Sequence, residues 1–212
     1  FMAGRQMLHS YSLSFEHPRT GKTEVVVHAP VPKHCIPTST FDPQRLIFYG
    51  GTAAGSEDDP NPIQFFAYDV KNKKMLYAGP HGPARYLAFA GSTGRVYYVP
   101  GKGDGQLTRF DPEDKAEPEP VEGSQIGMRA ATDETADGFI YTASLGQGTD
   151  EVIIWSLNAK TEQTRKIGTV SVGTQAYIAS LDVDPTGKYL YYVPGAHGGS
   201  ERDGSPVVQF EV

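Results

Sequence analysis

Three observations predict an all-β chain of repeated antiparallel sheets. First, "YYVPG" occurs twice, at Tyr97–Gly101 and Tyr191–Gly195, and related apolar runs stand around Tyr49 ("LIFYGG") and Tyr141 ("GFIYTAS"). Aligned on Tyr49, Tyr98, Tyr141 and Tyr192, these runs are 49, 43 and 51 residues apart. Second, another series keeps nearly the same period: "FFAYDV" at Tyr68, "LTRFDP" at Phe110, "VIIWSL" at Trp155 and "VVQFEV" at Phe210. Third, the 24 Gly and 16 Pro are scattered between the apolar runs, as turn residues would be. A repeat in the forties holding about four short strands is the pattern of a β-propeller blade.

The blades can be taken in order. The first reads "CIPTSTFDP", "QRLIFYGG", "IQFFAYDVK", "KMLYAGP", and the second "ARYLAFAG", "RVYYVPG", "QLTRFDPE", "AEPEPV". The third reads "MRAATDETADG", "FIYTASL", "EVIIWSLN", "TRKIGTV". The fourth has three strands, "AYIASLDVDPTG", "KYLYYVPG" and "PVVQFEV". Four-stranded sheets are therefore expected near 41–80, 84–121 and 128–170, followed by an incomplete blade. The turns "DPQ", "GSTG", "ETADG" and "DPTG" carry the residues that tight reversals need. β-Branched and aromatic residues dominate between them. Blades stack face to face, so these aromatics read as core and carry no chemistry. "MRAATDETA" has helix-compatible residues, but the repeat makes it an inner strand.

Charge divides the chain. Residues 1–35 hold four Lys/Arg and two Asp/Glu, while the rest hold fifteen and twenty-three, within an overall net charge of −6. Four of the six His (His9, His17, His28 and His34) also fall in the first 35 residues. This step sets an expected boundary between a hairpin segment, 1–35, and propeller blades, 36–212. The first segment contains "RQMLH", "LSFEHPRTGK" and "HAPVP". With Arg5, Gln6, Leu8, His9, His17, Pro18, Gly21, Ala29, Pro30 and Pro32, it resembles the C-terminal tail of RluA-type RNA pseudouridine synthases. Ser10 departs from that family's usual Ala. The resemblance implies a β-hairpin here and imports no activity, because the family's HRLD-type catalytic Asp motif is absent from this chain. The remainder is similar to uncharacterised bacterial propellers of the WD40-like or YVTN-like kind, with blade starts such as "DPTGKYLYYVPG".

A propeller closes on itself to leave no open sheet edge. Either this chain is a fragment of a larger propeller, or "TEVVVHA" supplies the missing outer strand of the last blade. The sequence favours the fragment, since "VVQFEV" carries no turn signal after it.

Composition excludes several classes. No apolar run approaches the ~20 residues of a membrane-spanning helix. No signal-peptide pattern opens the sequence. The single Cys35 rules out an internal disulfide framework and leaves the compartment open. The acidic main part argues against nonspecific nucleic-acid binding, which needs Lys/Arg to neutralise phosphates.

Candidate chemistry gathers in the loops. "GKGDGQ" (101–106) precedes a strand rather than a helix, so it reads as a hairpin loop and not a phosphate cradle. "DVDPTG" is too short for a calcium loop. No cofactor motif is present. The connections after each second and fourth strand share one face, and they are long, polar and glycine-rich. This face is expected to gather His81, Arg85, Arg129, His197, Glu201 and Asp203. The two His with Glu201 or Asp203 are acceptable ligand types for a divalent ion, but two blades separate them and no metal is assigned. Arg85 and Arg129 each open an inner strand one blade apart, so their guanidiniums should converge at the channel.

The expected function is a binding or scaffold module for a small anionic or polyhydroxylated ligand, or for a partner protein, through Arg85 and Arg129 with His81 at the rim. Two alternatives stand beside it. One is a lyase- or lactonase-type propeller enzyme with a channel metal. The other is a remnant of a pseudouridine synthase lacking its catalytic Asp.

Overall fold

The computed structural model describes residues 12–16, 23–56, 58–101, 103–114, 117–144, 152–170, 177–194, 204 and 206–212. Every helix or strand element among them is a strand. An antiparallel hairpin comes first, β1 (Ser12–Glu16) and β2 (Thr23–His28). Four blades follow. The first is β3 (His34–Asp42), β4 (Ile47–Ala54), β5 (Ile63–Asp69) and β6 (Lys74–Pro80), paired in chain order. The second is β7 (Ala88–Ala90), β8 (Arg95–Tyr98), β10 (Thr108–Phe110) and β11 (Glu119–Pro120). Between them in sequence, β9 (Asp104–Gly105) leaves this sheet and pairs with β12 (Ile126–Gly127). The loop "GKGDGQ" thus braces the connection leading into the third blade.

The third blade is β13 (Ala130–Ala131), β14 (Phe139–Ala143), β15 (Val152–Asn158) and β16 (Thr164–Val170). The fourth has three strands, β17 (Ile178–Val183), β18 (Tyr189–Pro194) and β19 (Val208–Glu211). The propeller architecture expected from the repeat is the one observed, and the first sheet begins earlier than expected, at His34.

Asp side chains build the turns. The Asp42 carboxylate accepts the backbone N–H groups of Gln44 and Arg45 at 2.9 and 3.0 Å. Asp184 does the same for Lys188 and Tyr189, at 2.8 and 2.7 Å. An Asp before Pro offers the chain local acceptors just where it must reverse.

Pairing corrects the alignment read from apolar runs. Tyr49 lies opposite Thr40, Tyr97 opposite Ala88 and Tyr191 opposite Asp182, while the Tyr141 carbonyl accepts the Thr132 N–H. Tyr49, Tyr97, Tyr141 and Tyr191 are therefore the equivalent residues, and Tyr98 and Tyr192 lie one step on. Likewise the third-strand residue matching Tyr68, Phe110 and Phe210 is Leu157, not Trp155. One residue of slip moves a side chain to the other face of a sheet, and only the ladder distinguishes the two faces.

Three of these forward-facing tyrosines meet the next blade. Tyr49 clusters with Leu87, Val96 and Phe110, Tyr97 with Ile140 and Leu157, and Tyr141 with Leu181 and Leu190. The rear face of the first blade is covered differently. Phe66 and Tyr68 pack with Val31, Val26 and Val27, and the Tyr68 hydroxyl donates to the Val26 carbonyl at 3.3 Å. The segment "TEVVVHA" thus pairs with β1 and seats against the first blade, rather than completing the fourth.

Candidate functional site

The topology sends the connections after each second strand and between blades to one face. Arg85 and Arg129 sit there at matched positions. Each stands three residues before the residue that meets the forward tyrosine, Ala88 opposite Tyr97 and Thr132 beside Tyr141. The Arg129 backbone N–H donates to the Ala143 carbonyl at 2.7 Å, which fixes where its side chain leaves the sheet. Its guanidinium carbon lies 5.1 Å from the ring centroid of Tyr177, the residue just before β17. A cation over a ring face at this range is attracted by the ring quadrupole. Three consecutive blades thus contribute Arg85, Arg129 and Tyr177.

Charge supports the proximity. Burial of the half-buried Arg129 holds its pKa below the ordinary arginine value, the positive charge of Arg85 lowers it further, and Tyr177 pulls the other way. The described arginine ion pairs engage Arg45, Arg95 and Arg109, and neither Arg85 nor Arg129 is among them.

Of the other expected residues, His81 is exposed in a left-handed backbone conformation with φ of 62°. It lines a cavity of about 360 Å3 with Pro60, Pro62, Pro80 and Pro100, between the upper loops of the first two blades. The loop behind it is tied by the Gly101 N–H donating to the Gly82 carbonyl at 2.9 Å. His197, Glu201 and Asp203 lie outside the described residues. Among the described residues no group of three or more His, Cys, Asp and Glu side chains could hold a metal.

Sequence reasoning missed three features of this face. Tyr177 was hidden in an apolar run, although it stands just before the inner strand β17. Burial raises the pKa of the Tyr86 phenol, and the charges of Asp133 and Asp182 raise it further. His34, grouped by charge with the opening segment, belongs to the first blade. Its side chain is 1% exposed, with Nδ1 2.8 Å from Thr52 Oγ1 and Nε2 3.1 Å from Asp59 Oδ2. That order of groups resembles a catalytic relay, but Thr52 is wholly buried, so the chain of hydrogen bonds ties β3, β4 and the connection after β4 together. The Asn61 N–H, then His34, hold the Asp59 carboxyl below its usual range.

No protein-family model matches the chain, and no curated protein does. The likeness of residues 5–32 to a synthase tail accordingly rests on its motif residues alone. Solved structures are similar in fold. Hydrazine synthase of Kuenenia stuttgartiensis superposes with a TM-score of 0.62 at 14% identity, over 95% of this chain and 60% of that one. TolB from Acinetobacter baumannii gives 0.58 at 11% identity, over 96% and 47%. The β-propeller domain of Cps50 (Swd1) from Myceliophteria thermophila gives 0.59 at 10%, over 95% and 63%. This chain therefore spans less than two thirds of each of these neighbours. Identities this low speak to architecture, and the architecture is that of a β-propeller.

Proposed function

We propose that this chain is a binding module within a larger propeller, and that its loop-bearing face recognises an anionic group of a small ligand or partner protein through Arg85 and Arg129. What supports this reading is that Arg85 and Arg129 each stand three residues before matched inner-strand positions of neighbouring blades, and that the positive charge of Arg85 lowers the Arg129 pKa. Like charges brought together are unfavourable unless something negative offsets them. Among the described residues, no carboxylate pairs with either one. Arginine suits the task because its planar fork grips oxyanions through two parallel hydrogen bonds. The larger-propeller part of the reading is supported by the share of each neighbour that the chain spans, and by Tyr191, exposed where its three counterparts are buried.

The test is retention of peptides on an array of acidic, phosphorylated, neutral and basic sequences. Wild-type chain should retain acidic or phosphorylated peptides selectively. An Arg85→Glu/Arg129→Glu variant should lose them, while Lys166→Glu, on the exposed side of β16, should not. Equal retention by the wild type and the double variant would remove the reading.

A further inference from the structure

We infer that the group held between Arg85 and Arg129 is a singly charged carboxylate rather than a phosphate or other polyanion. The inference rests on the anion-binding reading above and names the ligand class.

Geometry separates two levels along the inner strands. Arg85 and Arg129 occupy the upper level, three residues before Ala88 and Thr132. At ~3.3 Å per residue this places the lower level roughly 10 Å down the channel. The lower level is acidic. Asp133 follows Thr132, and Asp182 lies opposite Tyr191, the counterpart of Thr132 in the fourth blade. Both carboxylates are exposed. Both act on the Tyr86 hydroxyl, whose residue neighbours Arg85 in the chain. Neither takes part in a described ion pair. The whole chain adds a net charge of −6.

These charges decide the valence of the ligand. Attraction to the guanidiniums grows in proportion to the ligand's charge, whereas the cost of stripping its water grows as the square of that charge. A strongly positive site moves the optimum toward dianions. Carboxylates a few residues below, in an acidic protein, weaken the potential and move the optimum toward a single charge. Selectivity of this sort comes from a repulsive element set against the wrong ligand as well as from contacts to the right one. Shape agrees with charge. The Tyr177 ring lies 5.1 Å from the Arg129 guanidinium carbon, and the N–H groups of a guanidinium lie in its own plane. A planar carboxylate meets that edge with two coplanar oxygens.

The carboxylate could be supplied by an acidic side chain, a peptide C-terminus or a free organic acid, and separate probes distinguish these. The experiment follows the Arg Nε–H resonances of the full chain during titration at a pH about 1.5 units above the second phosphate pKa of ~6, where phosphoserine is a dianion. The probes are acetyl-Gly-Glu-Gly-amide, acetyl-Gly-Gly-Gly with a free C-terminus, propanoate, acetyl-Gly-phosphoserine-Gly-amide and inorganic phosphate. At least one carboxylate probe should bind more tightly than both phosphate probes, and the tightest of the three names the source. Arg129→Ala should weaken it about tenfold or more, as loss of a charge-assisted hydrogen bond does. Arg129→Lys, which keeps the charge and loses the fork, substitutes if the Ala variant does not fold. Asp133→Asn/Asp182→Asn should raise phosphate affinity relative to carboxylate several-fold. Tighter binding of either phosphate probe by the wild type, reversed by Arg129→Ala, overturns the carboxylate assignment and leaves the anion reading standing. Identical titrations of wild type and Arg85→Ala/Arg129→Ala with every probe overturn both.

Discussion

Tyr97 and Tyr191 hold the same place in the second strands of their blades, yet the first is fully buried and the second is 38% exposed. Tyr97 meets Ile140 and Leu157 of the next sheet, and its hydroxyl donates to the Ala159 carbonyl at 3.0 Å. The face around Tyr191 has no such sheet against it among the described residues. Equal sequence contexts therefore carry unequal energies. Tyr97→Ala should cost about 3–5 kcal/mol, the range for emptying a buried aromatic site. Tyr191→Ala should stay within about 0.5 kcal/mol, as surface changes do. Urea unfolding of the two variants measures the difference, and equal losses would contradict the burial pattern.

Glu162 staples the second blade to the third. Its carboxylate lies 3.1 Å from Arg95 Nη1 and 2.7 Å from Arg109 Nη1, and it accepts the Tyr97 hydroxyl at 3.1 Å. Glu162→Gln should destabilise the chain by about 1–3 kcal/mol, toward the lower end because the site is partly open to solvent and salt. A second readout is specific to this contact. Burial, then the Glu162 charge, pushes the Tyr97 phenol up to about 12. Removing the charge should lower that value, which ultraviolet titration of the phenolate can follow.

Asp42 should govern part of the acid unfolding. Its side chain is 1% exposed, and burial alone would raise its pKa. The N–H groups of Arg45 and Gln44 and the Arg45 guanidinium, 2.5 Å away, more than offset this and hold it below the usual carboxylate value. The folded state thus binds this proton less readily than the unfolded state does. The stabilisation is full above the unfolded value of ~3.9 and disappears as pH falls below it toward the folded value. Asp42→Asn should flatten the stability profile in that window and lower stability at neutral pH by about 1–3 kcal/mol. An unchanged acid midpoint in the variant would refute the assignment.

Gly82 is required by its surroundings. A Cβ there would run into the backbone of Gln64 and Phe65, which cannot move aside as a flexible side chain could. Gly82→Ala should cost about 1–3 kcal/mol, the usual penalty for overpacking. Gly82 also lies just before the segment that carries Arg85, and its carbonyl anchors Gly101. The same variant should therefore weaken retention of anionic peptides at temperatures where it is still folded. Full retention would mean that Arg85 is placed independently of this loop.

The sequence by itself determined the strand content, the repeat, the number of blades and the turns, because those are local matters. Alternating apolar residues, Asp-Pro turns and a period in the forties act over a few residues or recur regardless of distance. The places of Arg85 and Arg129 ahead of the inner strands of neighbouring blades were legible for the same reason. Tertiary structure decided the rest. Tyr98 and Tyr192 look like partners of Tyr49 until the ladder shows that they face backward, because a slip of one residue changes the face and leaves the composition unaltered. His34 carried the charge signature of the opening segment, but its hydrogen bonds to Thr52 and Asp59 join residues brought together only by the first sheet. Tyr177 beneath Arg129, and the charges of Asp133 and Asp182 that act on Tyr86, come from different blades. Such contacts depend on how one sheet is rotated against the next, and that rotation is set by packing across the whole interface rather than by any single stretch of chain.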